Sequence, residues 1–296
     1  MRWRRVDTPD VIDQRGRSGG GRGGGLGIPL GRAGGGIGLI GVIVVIALQL
    51  LGGGGSGAAF DVPAGFDDGT RAPGADAIPA DQDPDRDLKN FSAYVFTVAQ
   101  RTWEDTFKRS GDSYRRAKLV LFSGGVDTGC GSATSAVGPF YCPADQRVYL
   151  DLSFEREMER SLGADGDFAW AYVIAHEVGH HVQVLTGASE EVRRLQRDDP
   201  GQANALSVRL ELQADCYAGV WASTVYRAGE LEDGDLDEAF TASEAVGDDR
   251  LQRRSGGSVD PDSFTHGTSA QRKRWFRAGY DGGEPQACDT FAADDV

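Results

Sequence analysis

Histidine and cysteine are both scarce in this sequence. The 296 residues include four of each. No two cysteines have the C-x-x-C spacing, so we expect no cysteine-bound zinc site. Basic residues are also few, since 31 Lys and Arg stand against 45 Asp and Glu, for a net charge of −14. An acidic chain lacks the basic surface that binds phosphate backbones, and we therefore expect no nucleic acid partner.

The positive charge that is present lies at the start of the chain. Residues 1–33 contain seven Arg and three Asp, which is +4 and leaves −18 for the remainder. Their Arg- and Gly-rich composition predicts a disordered tail. Residues 34–52 include the uncharged run IGLIGVIVVIALQLL, which with its flanking glycines reaches the roughly 20 residues needed to cross a bilayer. We predict a transmembrane helix there, with the tail in the cytoplasm because Arg32 precedes the helix.

A cleaved signal peptide is the alternative for this segment, with Ser56-Gly57-Ala58 as a small-residue cleavage site. The long positive region and the long apolar run favour an uncleaved anchor in the cell membrane. Residues 53–86 are rich in Gly, Ala, Asp and Pro, which predicts a flexible linker. Residues 87–296 would then form the functional domain, outside the cytoplasm.

Three of the four histidines lie in one decapeptide, YVIAHEVGHH. Its apolar spacing predicts a helix over about 168–186, on which His176 and His180 share one face and Glu177 lies one step round. This H-E-x-x-H arrangement is typical of zinc hydrolases, with two metal ligands and a base. A chance match among buried, hydrogen-bonded histidines is the competing interpretation. His181 lies about 100° from His180 around the helix, so we interpret it as a structural neighbour.

A second helix, predicted over about 203–227, carries two acids four residues apart. Its surroundings are apolar, and buried carboxylates need partners. We predict Glu211 as the third zinc ligand. We predict that Asp215 accepts the N–H of a ligating histidine, as carboxylates commonly do around zinc. Two solvated acids on an amphipathic helix are the alternative.

H-E-x-x-H followed by E-x-x-x-D resembles the zinc peptidases with a glutamate as third ligand, such as thermolysin. More closely, the chain resembles the bacterial membrane-anchored neutral zinc metallopeptidase family. The resemblance covers about Leu88 to Phe291 and rests on five segments in order: CGSATSAVGPFYCPADQRVYLDLSF, AYVIAHEVGHHVQ, RLELQADCYAGVWA, VGDDRLQ and HGTSAQR. It implies an α+β, zincin-like fold, mostly helical with a small sheet, with Zn²⁺ as cofactor and peptidase chemistry. It also implies that the strand predicted over 147–152 is an edge strand that pairs with substrate. An ordinary inner strand is the alternative on these few residues.

The cysteines and the last histidine complete the candidate set. An even number of cysteines outside the cytoplasm predicts two disulfides, and of the three possible connectivities we favour Cys130–Cys142 and Cys216–Cys288. Four free thiols are the alternative. His266 precedes a possible capping box that would begin a helix over about 269–279. It would stabilise the oxyanion of a tetrahedral intermediate, or else be a surface histidine near a helix start.

These residues together predict a membrane-anchored zinc endopeptidase that hydrolyses peptides or proteins outside the cytoplasm. Glu177 would take a proton from the attacking water and deliver it to the leaving amine. Two alternatives remain. In one, zinc only stabilises the fold of a binding module, although an intact Glu177 argues against this. In the other, the zinc site hydrolyses a substrate that is not a peptide.

Overall fold

The computed structural model describes residues 1–16, 78–79 and 81–296. The predictions for residues 17–33, for the transmembrane helix over 34–52 and for most of the linker over 53–86 therefore lie outside the described residues. Within the described ranges, no helix combines the length and the apolar character needed to cross a membrane.

In the described part of the chain, six short strands form two small sheets. They are β1 (Val11–Asp13), β2 (Lys118–Phe122), β3 (Gly125–Thr128), β4 (Gly131–Thr134), β5 (Phe140–Cys142) and β6 (Arg147–Asp151). The larger sheet has the order β1-β2-β6-β5, in which β5 alone runs antiparallel to its neighbour. β6 is thus an inner strand, so the expectation that it is the substrate-pairing edge strand was wrong. β5 occupies that edge instead, because the chain turns back after Cys142 and places β6 inside.

Eight α-helices account for most of the described chain. They are α1 (Arg86–Ser110), α2 (Ser153–Glu157), α3 (Asp167–Leu185), α4 (Ala188–Asp198), α5 (Ala203–Arg227), α6 (Asp235–Ala245), α7 (Asp248–Arg254) and α8 (Ser269–Gly282). The mixed α+β fold, mostly helical with small sheets, is confirmed. The predicted capping box at the start of α8 is also confirmed, with Thr268 and Gln271 bonding reciprocally.

Helices α5 and α8 lie in backbone contact. A Cβ on Gly219 would lie 2.0 Å from the carbonyl oxygen of Phe276, and one on Gly279 would lie 1.9 Å from that of Cys216. Only glycine permits so close an approach at these two positions. The contact brings the first turn of α8, and with it Arg272, against the part of α5 that carries Glu211 and Asp215.

Both predicted disulfides are present. Cys130–Cys142 links the β3–β4 hairpin to the edge strand β5. Cys216–Cys288 links the C-terminal segment to α5. The second bridge joins α5 one residue after Asp215, so it also holds the region that carries the candidate metal site.

The prediction that the chain begins with a disordered tail is wrong for residues 1–16. Val11–Asp13 pair with Leu119–Leu121 of β2. The Arg15 side chain is 2 % exposed and lies 2.7 Å from both Asp13 and Asp83. The charged residues that suggested a disordered tail instead form ion pairs with each other and with residues 81–296, which we call the body. Composition alone does not reveal such long-range pairing.

This pairing has a consequence for membrane topology. β1 and β2 belong to one sheet, so residues 1–16 and the body lie on the same side of any membrane. A chain that crossed a bilayer once between residues 17 and 77 would separate them. A cytoplasmic N-terminus with an extracytoplasmic body stays a prediction, and it is one that the pairing of β1 with β2 disfavours.

Candidate functional site

The three predicted metal ligands converge between helices α3 and α5. The Nε2 atom of His176 lies 3.3 Å from Oε2 of Glu211, and that of His180 lies 3.4 Å from Oε1 of the same residue. One ligand atom from each of the three side chains lies within 4.8 Å of the other two. The i, i+4 spacing on α3 places the imidazoles side by side, and α5 brings the carboxylate opposite them.

The other nitrogen of each ligating imidazole is hydrogen-bonded. His176 Nδ1 lies 2.8 Å from Oδ1 of Asp215, and His180 Nδ1 lies 2.9 Å from Oε1 of Gln183. These oxygens can only accept, so each Nδ1 carries a proton and each Nε2 is the ring atom that faces Glu211. Gln183 is held in turn, since its amide donates to the carbonyl of Leu210. Sequence analysis missed Gln183, although its position three residues after His180 places it on the same side of α3.

The donor set fits a zinc ion. Two imidazole nitrogens and one carboxylate are the ligands of catalytic zinc sites that keep a fourth position open. The site's electrostatics also favour a cation. Burial alone would lower the pKa of His176, but the adjacent Asp215 and Glu211 raise it to about 10. Burial would raise the pKa of Glu211, yet His180 and His176 hold it well below its usual range.

Glu177 lies beside the ligands in the same cavity, which has a volume of about 280 Å³. The residue is 7 % exposed. Burial raises the pKa of its carboxyl group above the usual value for glutamate. A carboxylate with a raised pKa is a better proton acceptor, which is the property that a general base needs.

His266 lines this cavity too. Its Nδ1 atom lies 3.1 Å from Oδ1 of Asp248. Burial alone would lower the pKa of His266, but Asp248 and Glu211 together raise it. Asp248 also accepts three consecutive backbone N–H groups, from Thr265, His266 and Gly267. Sequence analysis placed Asp248 in a family segment but gave it no role, because the pairing joins residues 18 positions apart.

His181 lies outside the ligand set, as its helical position predicts. It is fully buried, its Nε2 lies 2.6 Å from the carbonyl oxygen of Arg115, and its Nδ1 lies 2.9 Å from the hydroxyl of Tyr141. A carbonyl only accepts, so Nε2 carries the proton and Tyr141 donates to Nδ1. His181 therefore connects helix α3, which carries the H-E-x-x-H motif, to the edge strand β5.

Residues of β5 form part of the cavity wall. Its lining is mainly apolar and includes residues of the β5 edge and of helices α3, α4 and α5: Pro139, Phe140, Tyr141, Val173, Val192 and Leu210. Within the described residues, β5 is hydrogen-bonded to a strand on one side only. A strand at the edge of the sheet thus contributes residues to the cavity that contains the candidate metal ligands and Glu177.

The sequence matches the family described as "Putative neutral zinc metallopeptidase" over residues 1–291. The chain belongs to this family. The matched residues include β1, all three candidate ligands, Glu177 and His266. The family description supports zinc as the cofactor and hydrolysis as the class of chemistry.

Curated relatives are similar over much or nearly all of the chain. The uncharacterized protein YpfJ of Escherichia coli K12 is 47 % identical over 295 residues, which is 98 % of this chain and 99 % of that protein. The uncharacterized protein Rv2575 of Mycobacterium tuberculosis H37Rv is 48 % identical over 194 residues, or 62 % of this chain and 65 % of that protein. No solved structure matches the chain, so the zincin-like assignment stays a prediction.

Proposed function

We propose that this protein is a zinc-dependent endopeptidase. The observation that carries the proposal is the convergence of His176, His180 and Glu211 in a cavity that also contains the buried carboxyl group of Glu177. A site that only stabilised the fold would need the ligands but not a base with a raised pKa. Zinc, when bound, supplies a Lewis acid that polarises a carbonyl group and lowers the pKa of water.

The chain's own residues divide the remaining tasks. Glu177 accepts a proton from the attacking water while the oxygen of that water bonds to the peptide carbonyl carbon. The same proton then passes from Glu177 to the amine nitrogen as the C–N bond breaks. In its protonated form, which the contact with Asp248 favours, His266 donates a hydrogen bond to the carbonyl oxygen as negative charge develops there.

The edge strand β5 provides a place for the substrate. An extended peptide can pair with a free strand edge through its backbone, so that alternate side chains enter neighbouring pockets. At β5 such a peptide would lie along the apolar cavity, with its backbone near Glu177. This arrangement favours an unfolded peptide or an exposed loop over a small non-peptide substrate.

We further propose that the body functions outside the cytoplasm. Its four cysteines form two disulfides, which persist in oxidising compartments and are rare in the cytoplasm. Residues 1–16 would lie on that same side, because β1 pairs with β2. The apolar run over residues 37–51 makes the cell membrane the partner that we propose for the intervening segment.

The decisive experiment compares Glu177→Gln with the parent protein, both as zinc-loaded full-length chains. We expect the variant to keep one zinc and its melting temperature but to lose hydrolysis of a mixture of unstructured peptides, monitored by mass spectrometry. Glu191→Gln is the matched control, because Glu191 is exposed on the adjacent helix α4 and should leave turnover unchanged. Equal hydrolysis by Glu177→Gln and the parent would contradict the mechanism, and no chelator-sensitive hydrolysis by the parent would contradict the proposed activity.

A further inference from the structure

A buried guanidinium, that of Arg272, lies behind the candidate metal site, where its Nη2 atom comes within 3.5 Å of His176 Nδ1. Arg272 is 4 % exposed and Asp215 is fully buried. The Nε atom of Arg272 donates to Oδ2 of Asp215 at 2.8 Å, and Nη2 donates to Oδ1 at 2.9 Å. This two-bond contact fixes both the position and the plane of the carboxylate.

Oδ1 of Asp215 accepts two further hydrogen bonds. Oδ1 accepts from His176 Nδ1 at 2.8 Å and from the Tyr172 hydroxyl at 2.5 Å. Three donors thus meet Oδ1 and one meets Oδ2, so the carboxylate is held from several directions. Arg272 Nη2 also donates to the Tyr172 hydroxyl oxygen at 3.2 Å, so Arg272 helps to hold Tyr172 in place as well.

The charges of this buried group match a divalent ion. Glu177, Glu211 and Asp215 carry three negative charges when ionised, and Arg272 contributes one positive charge. The sum of −2 is neutralised by one Zn²⁺. Without Arg272 the filled site would keep an uncompensated negative charge, which is costly in a buried environment.

We propose that Arg272 is a positioning residue for the metal site. Arg272 holds Asp215 in place, and Asp215 in turn orients His176. The inference rests on the proposed zinc site, but its test needs no substrate. Arg272 reaches this point because α8 packs in backbone contact with α5 at Gly219 and Gly279. The motif helix α3 and the capped start of α8 are thereby joined through one carboxylate.

The test measures zinc affinity of full-length variants by competition with a chelator, alongside melting temperatures of the zinc-free proteins. Arg272→Met should lower zinc affinity about 10- to 100-fold, the usual effect of losing a partner of a ligating histidine. Arg272→Lys keeps the charge but cannot form the two-bond contact, so it should recover only part of the affinity. Arg15→Met is the matched control. It removes another buried, carboxylate-bound arginine and should lower the melting temperature without changing zinc affinity.

The double variant Arg272→Met/Asp215→Asn separates positioning from a merely structural role. Removing both charges of a buried pair is less destabilising than removing one, so its melting temperature should recover relative to Arg272→Met. Its zinc affinity should not recover, and should stay within about threefold of Asp215→Asn alone, because Arg272 acts through Asp215. Recovery of zinc affinity together with the melting temperature would overturn the proposal, and so would full zinc affinity in Arg272→Met.

Discussion

Asp248 holds His266 at both its backbone and its side chain. Oδ2 of Asp248 accepts the backbone N–H of His266 at 2.7 Å, while Oδ1 lies 3.1 Å from the imidazole Nδ1. The ring is thereby oriented with Nδ1 towards Asp248, and no hydrogen-bond partner for Nε2 lies among residues 1–16, 78–79 and 81–296. This arrangement suits a hydrogen-bond donor that must be in place before charge develops on a substrate.

We predict that His266→Ala lowers kcat about 100-fold, the effect of losing one donor to an oxyanion. KM should change less, because the donor acts mainly in the transition state. Steady-state kinetics on a cleaved peptide provides the measurement, and zinc content is the control because His266 is not among the three ligands. A variant that lost zinc instead would show that His266 belongs to the metal site.

The metal site itself gives a second prediction. His176→Ala, His180→Ala and Glu211→Ala should each remove most bound zinc, because each deletes one of three converging ligand atoms. His181→Ala should retain zinc, since its two nitrogens face Arg115 and Tyr141. Metal analysis after dialysis against a weak chelator distinguishes these outcomes. Full zinc in Glu211→Ala would remove that residue from the proposed ligand set.

The helices of the site could be predicted from sequence because their signals are local. Apolar spacing and the residues at helix ends predicted α3 and α5 to within a residue or two, and the i, i+4 pairs then followed. The partners behind the ligands could not be predicted in the same way. Arg272 meets Asp215 across 57 residues, and that meeting depends on two glycines whose packing role has no local signal. Gln183 was missed for a different reason, since a lone buried glutamine has no distinctive pattern.

The start of the chain was predicted wrongly for a related reason. A segment rich in Arg and Gly is a good candidate for disorder when its charges are solvated. Here Asp10 binds Arg116 and Lys118 of the body, and Arg15 binds Asp83. The pairing partners lie about 70 to 110 residues away, beyond the reach of a compositional argument.

The acid groups of this segment predict how its contribution to stability depends on pH. Burial alone would raise the pKa of Asp83, but Arg15 and Lys89 lower it to about 2. A folded-state pKa below the unfolded value means that the stabilisation is fully present above about pH 4. It is lost as the pH falls through the folded-state value. Arg15→Ala should therefore lower the free energy of unfolding more at pH 6 than at pH 3, as measured with urea. An equal loss at both pH values would contradict this reading of the ion pairs.

The two disulfides should contribute unequally to stability. Cys216–Cys288 closes a loop of 72 residues and Cys130–Cys142 one of 12. Chain entropy alone gives about 4.4 and 2.8 kcal/mol for loops of these lengths. The double Cys→Ala variant of the longer loop should thus lose about 1–2 kcal/mol more in a urea titration than that of the shorter loop. The opposite order would mean that interactions in the folded state, and not loop closure, dominate.

The last prediction concerns which side of the membrane each end of the chain occupies. Pairing of β1 with β2 requires residues 1–16 and the body to lie on one side, whereas a single crossing within residues 34–52 requires opposite sides. Two variants, each with one added cysteine at an exposed position, distinguish these arrangements in intact cells. They are Asp7→Cys near the start of the chain and Asp294→Cys near its end. The four native cysteines are all in disulfides, so they give little background with a membrane-impermeant maleimide.

We expect both probes to be labelled, or both to be protected until the membrane is permeabilised. Labelling of both would also support the proposed location outside the cytoplasm. Labelling of Asp294→Cys alone would show that the N-terminus stays inside and that β1 is not paired with β2 in the cell. Because that pairing buries Arg15 and ties Asp10 to β2, such a molecule should also lack the pH-dependent contribution of the Arg15–Asp83 pair. The labelling pattern and the urea titrations of Arg15→Ala thus test the same strand pairing by independent measurements.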